Sequence, residues 1–295
     1  MSLLACLISP IVALIFSPLF AAVINRTKAA VAGRKGPPLL QGYFDLLRLL
    51  RKGMVLSGTT SWIFRVAPVL IFAATLAAAC FVPFFPVGSP VLSFTGDLVV
   101  LLYLLAFARF FLILSALDTG SAFEGMGASR EAFFSALAEP VIFICLLNVM
   151  RTHDVGSITA ALSTPLVDSI AVLLVAIPLF LVLLSENARM PFDDPTTHLE
   201  LTMIHEVMIL DNSGPSLALL EYAASVKLWL FSSILARIIL PGMGPVLETV
   251  ILLALMAVIA IAIGLVESFM ARLRLIRVPQ LLFGAGVVVP SRFFY

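Results

Sequence analysis

Long, nearly uncharged apolar runs separated by short polar connections constrain this chain more than any other feature of it. The runs occupy 2 to 24, 63 to 86, 97 to 117, 131 to 150, 167 to 186, 221 to 240, 246 to 270 and 278 to 292. The hydrocarbon core of a bilayer is about 30 Å thick, so a helix rising about 1.5 Å per residue crosses it with about 20 mainly apolar residues. A water-facing surface cannot be built from what remains, because only 12% of residues are charged against about 25% in soluble domains. The expectation is an all-α integral membrane protein, a single polytopic domain over 1–295. It has about eight transmembrane helices and no separate water-soluble domain. The first run is too long for a signal-peptide core and lacks a basic segment before it, so it reads as a retained helix. Pro10, Pro18, Pro68, Pro140 and Pro178 fall inside runs and predict kinks whose freed carbonyls are satisfied by packed neighbours.

Lys and Arg set the orientation. The connection 25–60 carries Arg26, Lys28, Arg34, Lys35, Arg48, Arg51 and Lys52, and alternation brings Arg130, Arg189, Arg272, Arg274 and Arg277 to the same side. The opposite side receives Arg151 and Arg292. Connections 25–60, 118–130, 187–220 and 271–277 are therefore expected in the cytoplasm, with both termini outside. The unusual polar sequence lies in those connections, so function is expected to face the cytoplasm. No internal repeat stands out, which disfavours inverted-repeat transporters.

Within 25–60, LLQGYFDLLRLLRK puts Leu39, Tyr43, Leu46, Leu47 and Leu50 on one helical face and Gln41, Asp45, Arg48 and Lys52 on the other. This predicts a cytoplasmic amphipathic helix on the membrane surface. Taken alone, it serves equally as a basic topological anchor or as a functional element.

A charge at a helix centre costs roughly 2.5–3.5 kcal/mol on insertion scales and so needs a partner, water or a task. Arg109 lies eight residues before the end of its run and Glu139 eight after the start of the next, so both sit about 12 Å deep and are expected to face each other or share a hydrated cavity. Glu131, Ser135 and Glu139 recur at one helical face. Glu186 closes the fifth run, Glu221 opens the sixth with Lys227 further in, and Glu267 lies near the inner end of the seventh. As a set, Arg109, Glu131, Glu139, Glu186, Glu221, Lys227 and Glu267 suggest a proton or ion path, although each pair could equally serve only helix packing.

The net charge of +1 gives no pull toward nucleic acid. Cys6, Cys80 and Cys145 are dispersed in apolar runs without iron–sulfur or zinc spacing. His198 and His205 could share a helical face, but no metal-ligand pattern surrounds them, so no metal site is expected. No phosphate-binding loop, nucleotide fingerprint or nucleophile elbow appears, and covalent chemistry by this chain alone is not expected.

Three segments carry a family resemblance. GRKGPPLLQGYFDLLRLLRK and SENARMPFDDPTTHLELTMIHE resemble the quinone-binding membrane subunit family of respiratory complex I, the NADH-quinone oxidoreductase, and its relatives in membrane-bound group 4 nickel-iron hydrogenases. LDTGSAFEGMGASREA, from Leu117 to Ala132, resembles the hydrogenase branch of formate hydrogenlyase type. The resemblance covers essentially the whole chain. It implies a non-catalytic subunit of the prokaryotic cytoplasmic membrane that docks a cytoplasmic arm and couples its redox chemistry to proton or sodium movement. The implied partners are hydrogenase large and small subunits, a ferredoxin-like iron–sulfur subunit and antiporter-like membrane subunits. Iron–sulfur clusters and a nickel-iron centre are implied in those partners, and no cofactor in this chain.

By motif, Gln41 and Asp45 match surface-helix positions of the family, Arg48 stands where a basic residue is usual, and Glu139 matches an intramembrane acid. Glu186, Arg189 and Asp193 match E-x-x-R-x-P-F-D, and Glu200 matches the loop's last acid. Asp194, His198, His205 and Glu206 complete the implied coupling loop. Arg34, Lys35, Asp118 and Arg130 join Gln41, Asp45 and Arg48 in an implied docking surface or quinone-like cavity. Thr196 and His198 replace acids usual in complex I, which shifts the loop's titration range upward, toward that of imidazole. The quinone-binding membrane subunit of a respiratory complex I is the first alternative. The second is a stand-alone secondary transporter, with Arg109, Glu139 and Lys227 lining a substrate site.

Overall fold

A computed structural model describes residues 3–84, 92–164, 166, 169–193, 203–240, 242, 245–273 and 277–288, with side chains from Ile8 onward except at 169, 245 and 288. Among the described residues all regular structure is helical: α1 (Leu3–Val31), α2 (Gln41–Leu50), α3 (Trp62–Ala79), α4 (Asp97–Asp118), α5 (Ala122–Thr152), α6 (Ile158–Ser163), α7 (Ser169–Glu186), α8 (His205–Met208), α9 (Pro215–Ile239), α10 (Pro245–Phe269) and α11 (Arg277–Val288). Six helices, α1, α3, α4, α5, α9 and α10, are long and apolar enough to cross a membrane, and Ile170–Glu186 of α7 is a shorter apolar helix. The described part of α11 is 12 residues. The last expected run, 278 to 292, extends past the described residues.

Four boundaries differ from the expectation: α3 ends at Ala79, short of the expected 86, at a turn that precedes Pro83, and in the other three helix continues beyond the apolar stretch. α1 runs on to Val31, carrying Lys28 with it, and α9 starts at Pro215, whose fixed φ suits a first helical position. Most of the expected 118–130 connection is helix, since α5 begins at Ala122 and leaves a turn at 119–121. One of its glycines, Gly127, has a packing reason. A Cβ at Gly127 would meet the Val207 side chain and stand 2.9 Å from the Ile204 carbonyl, so glycine lets α8 lie against α5.

Each end of the bundle is tied by carboxylates acting on helix termini. Asp118, closing α4, accepts from the Ser61 N–H at 2.8 Å, the Ser61 hydroxyl at 2.9 Å and the Phe64 N–H at 3.3 Å, so it caps the start of α3. At the same end, Val55 pairs with Ser213, Asp211 with Glu124, and Leu273 with Pro191. At the opposite end, Asp97 accepts from Ser157 Oγ at 2.5 Å, Ile158 N at 2.7 Å and Thr159 Oγ1 at 2.9 Å, capping α6. There Arg237 donates to the Pro83 and Phe84 carbonyls at 2.7 and 2.9 Å and to Glu248 at 2.6 Å.

The kink expected in α1 is satisfied from outside. Pro18 has no N–H for the Leu14 carbonyl, which instead accepts the Tyr222 hydroxyl of α9 at 2.7 Å. The adjoining Ile15 carbonyl accepts the Tyr43 hydroxyl of α2, and Gly42 lies against Pro18. These bonds seat α2 across α1 and α9. No residue of α2 is fully buried, and Phe44, Leu47 and Leu50 are about half exposed.

Candidate functional site

Arg109 of α4, 7% exposed, is a buried cation well inside its helix. Its guanidinium binds Glu139 of α5 through Nη1 and Glu186 of α7 through Nη2, and its Nε is 3.5 Å from Glu131 of α5. Lys227 of α9 adds a 2.9 Å ion pair to Glu186 Oε2 and donates to the Glu186 carbonyl at 2.7 Å. Four helices therefore meet at one cluster. The planar fork of Arg presents its donors in fixed, divergent directions, so carboxylates from two helices are held at once. The cluster joins three carboxylates to two cations, so with every acid ionised it carries one excess negative charge. Neutrality of the group as a whole would take one added proton. Its acids differ in access: the Glu186 side chain is 2% exposed and that of Glu139 44%. Ser135, between the two acids on α5, spends its hydroxyl on the Ala132 carbonyl.

A second cluster begins three residues after Glu186. Glu267 of α10, its side chain fully buried, forms an ion pair with Lys28 of α1 at 2.8 Å and accepts a hydrogen bond from Arg189 Nη1 at 3.2 Å. Glu267 thus belongs with Lys28 and Arg189, and among the described residues has no ion pair to the Arg109 cluster. Close approach of α1 and α10 is set by Gly264, where a Cβ would stand 2.8 Å from Thr27 Cβ. A third contact follows at Asp193, 1% exposed: Oδ2 accepts the Ile204 and His205 N–H groups, each at 3.0 Å, and Oδ1 is 3.3 Å from Arg272.

Between the clusters lies a cavity of about 420 Å³. Its charged wall includes Lys28, Arg109, Glu131, Glu186, Arg189, His205, Glu206, Glu221 and Lys227, and its apolar wall includes Ile71, Leu105, Leu112 and Leu220. Glu221 therefore borders the cavity but makes no ion pair among the described residues. Asp194, His198 and Glu200 lie outside the described residues.

The remaining expected positions are dispersed around the same end. Gln41 donates to Asp45 at 2.9 Å, and Arg48 is 3.6 Å from Asp45 on an exposed face. Burial beside α1 pushes the Tyr43 phenol above its ordinary range. Arg34 and Lys35 are exposed, Asp118 is the α3 cap, and Arg130 donates to the Met203 carbonyl at 3.1 Å. Sequence reasoning treats Lys28 as a topological charge and passes over Glu124, buried at the start of α5. The signal for Lys28 is its helical continuity with the apolar run. For Glu124 it is an acid just ahead of a membrane helix. Among the described residues no group of three or more His, Cys, Asp or Glu is arranged to hold a metal.

The NADH dehydrogenase family profile matches residues 4–291. Formate hydrogenlyase subunit 4 of Escherichia coli (strain K12) is 32% identical over 293 residues, covering 95% of this chain and 94% of that one. Hydrogenase-4 component C of the same organism is 32% identical over 238 residues, 78% and 73% of the two chains. NADH-ubiquinone oxidoreductase chain 1 of Triticum aestivum is 29% identical over 259 residues, 82% and 76%. A chain of the archaeal membrane-bound sulfane sulfur reductase, a respiratory membrane complex, shares the fold with a TM-score of 0.83 at 21% identity, over 97% and 96% of the chains. The chain belongs to the NADH dehydrogenase family, as a multi-pass membrane subunit of an oxidoreductase complex homologous to formate hydrogenlyase subunit 4 and hydrogenase-4 component C.

Proposed function

We propose that this chain is the coupling and docking subunit of an energy-converting nickel-iron hydrogenase complex. It links redox chemistry in a cytoplasmic arm to proton or sodium translocation across the prokaryotic cytoplasmic membrane. The observation that carries the reading is the Arg109 cluster, in which three carboxylates share two cations inside the membrane and one of the acids, Glu186, begins the segment that leads to Asp193 and α8. A cluster one proton short of neutrality is a place where a proton can be taken up and passed on. Glu139, half exposed on α5, is the exit from it toward a neighbouring membrane subunit of antiporter type. The basic end, with Arg34, Lys35, Arg48 and Arg130, faces the cytoplasm and seats the iron–sulfur and nickel-iron partners, which hold the cofactors and perform the chemistry.

The path is tested with Glu139→Gln. Dye-linked hydrogenase activity in the arm is expected to stay within about twofold of wild type, while ion pumping by the complex in vesicles falls at least about tenfold, as expected when an acid–base group leaves a transfer path. Unaltered pumping would sink the role of Glu139. Nickel and iron analysis of the complex purified on this chain tests the assignment, since nickel must co-purify.

One observation favours a second reading. The cavity of about 420 Å³ combines an apolar wall with a charged one, the lining a quinone head group would require, and relatives include an NADH-ubiquinone oxidoreductase chain. Photolabelling by a quinone analogue at α9 or α4, with no nickel in the complex, would replace the hydrogenase assignment.

A further inference from the structure

Glu124 stands three residues after Ser121 at the start of α5, a Ser-x-x-Glu spacing that ordinarily closes a capping box. The box does not form. The Ser121 side chain makes no cap bond, and the Ser121 N–H goes to Thr119 Oγ1 at 3.2 Å. Glu124 turns inward instead, 1% exposed, and its Oε1 accepts the Asp211 N–H at 3.2 Å. Its Oε2 is buried without a hydrogen-bond partner among the described residues. A local rule abandoned at the cost of burying an acid marks a site with a task.

Among the described residues no cation compensates this carboxyl. The arginine nearest in sequence on its own helix, Arg130, is spent on the Met203 carbonyl. The elements packed around the first turn of α5 bring Asp118 at the end of α4, His205 and Glu206 in α8, and Asp211 after it. Asp118 is occupied by the start of α3, and His205 and Glu206 line the cavity. Asn212, next to Asp211, is 5% exposed with both side-chain polar atoms unpartnered among the described residues. The Thr119 hydroxyl gives its hydrogen to the Ala116 carbonyl at 2.8 Å and accepts the Ser121 N–H. Glu124 Oε2 is thus left with no donor among the described residues, a place that suits a carboxylic acid better than a carboxylate.

We propose that Glu124 is a proton-binding site, held as a neutral carboxylic acid whose Oε1 receives the Asp211 N–H. Losing the proton to water leaves a buried, uncompensated charge, so the 209–212 segment opens to hydrate it. Reprotonation closes the segment. α8 is thus held by a carboxyl at each end, Asp193 before it and Glu124 after it, and the proton on Glu124 decides whether the second hold is engaged. The site is separate from the Arg109 cluster, and it stands whether or not the chain couples a hydrogenase.

The test uses the intact complex in nanodiscs. Infrared difference spectra of wild type against Glu124→Gln at neutral pH are expected to contain a carboxylic-acid C=O band that shifts in D2O and belongs to Glu124. Identical spectra in that region would overturn the proposal. Hydrogen exchange at the 209–212 amides, corrected for intrinsic rates, is expected to lose protection about tenfold per pH unit once the proton leaves. Amides inside α7 serve as the unchanged control. Gln at 124 presents the same donor and acceptor as the neutral acid and so keeps the protection at every pH. Protection in wild type that is independent of pH would overturn the proposal without any variant, which covers the case of Glu124→Gln failing to assemble.

Discussion

Arg109 binds two acids of very different burial, and a pair of double-mutant cycles turns that difference into numbers. Removing one partner of a buried ion pair costs about 3–5 kcal/mol, because the other charge is stranded. Arg109→Met falls at the low end, about 3 kcal/mol, for two reasons in the structure: Lys227 stays 2.9 Å from Glu186, and the Glu139 side chain is 44% exposed. Crossing Arg109→Met with Glu186→Gln removes both partners of the pair whose side chains are 6% and 2% exposed, so the coupling energy is expected near about 2 kcal/mol. Crossing it with Glu139→Gln should give less than about 1 kcal/mol, since solvent screens a half-exposed acid. Unfolding in mixed detergent–SDS micelles reports both cycles through Trp229, whose ring lies 5.4–6.0 Å from Phe16, Phe20 and Phe84. Trp62 is 68% exposed and can be replaced by Phe to leave a single reporter. A coupling to Glu139 equal to or greater than that to Glu186 refutes the burial argument.

Two further outcomes follow from packing. Tyr222→Phe strands the Leu14 carbonyl freed by Pro18, and interhelical hydrogen bonds in membranes average about 0.6 kcal/mol, so a loss of that order is expected in the same unfolding assay. No change would mean that the carbonyl is satisfied in another way. Gly127→Ala places a Cβ against Val207 and 2.9 Å from the Ile204 carbonyl. It should cost about 1–3 kcal/mol by overpacking and raise protease cleavage within 203–214. Unchanged cleavage would show that α8 does not depend on that close approach.

Six of the eight expected membrane helices were legible because those apolar runs are long enough to leave one conformation in lipid, and Pro18 announced the freed carbonyl that Tyr222 answers. The meeting of Arg109 with Glu139 was legible for a similar reason: two charges at equal depth on consecutive helices have few places to go. The helix ends were not. A run stops being apolar at Asn25 or Ala132, but backbone pairing continues wherever the polar residues find partners, as Lys28 does at Glu267. Grouping also escaped the sequence. Glu267 and Glu186 look alike as acids at inner helix ends, yet helix rotation sends one to Lys28 and Arg189 and the other to Arg109 and Lys227. Glu124 was hidden by its own local pattern, since Ser-x-x-Glu reads as a cap and only tertiary packing turned it inward.

The segment from Glu186 to Asp193 takes part in three charge clusters through residues at i, i+3 and i+7. Glu186 is fixed by α4 and α9, Arg189 by α10, and Asp193 by Arg272 and the start of α8. Sliding the segment would break charge-assisted contacts in all three at once, each worth a few kcal/mol when buried. Adding a proton to the Arg109 cluster turns one ion pair into a neutral hydrogen bond and leaves the other two clusters as they are: it brings three carboxylates and two cations to neutrality and weakens the pull on Arg109 and Lys227 alone. On the coupling reading, the smallest sufficient event is therefore a proton transfer that rebalances the cluster, with movement of the segment following it, because an equilibrium shifts only as far as the differential interaction of its two states allows.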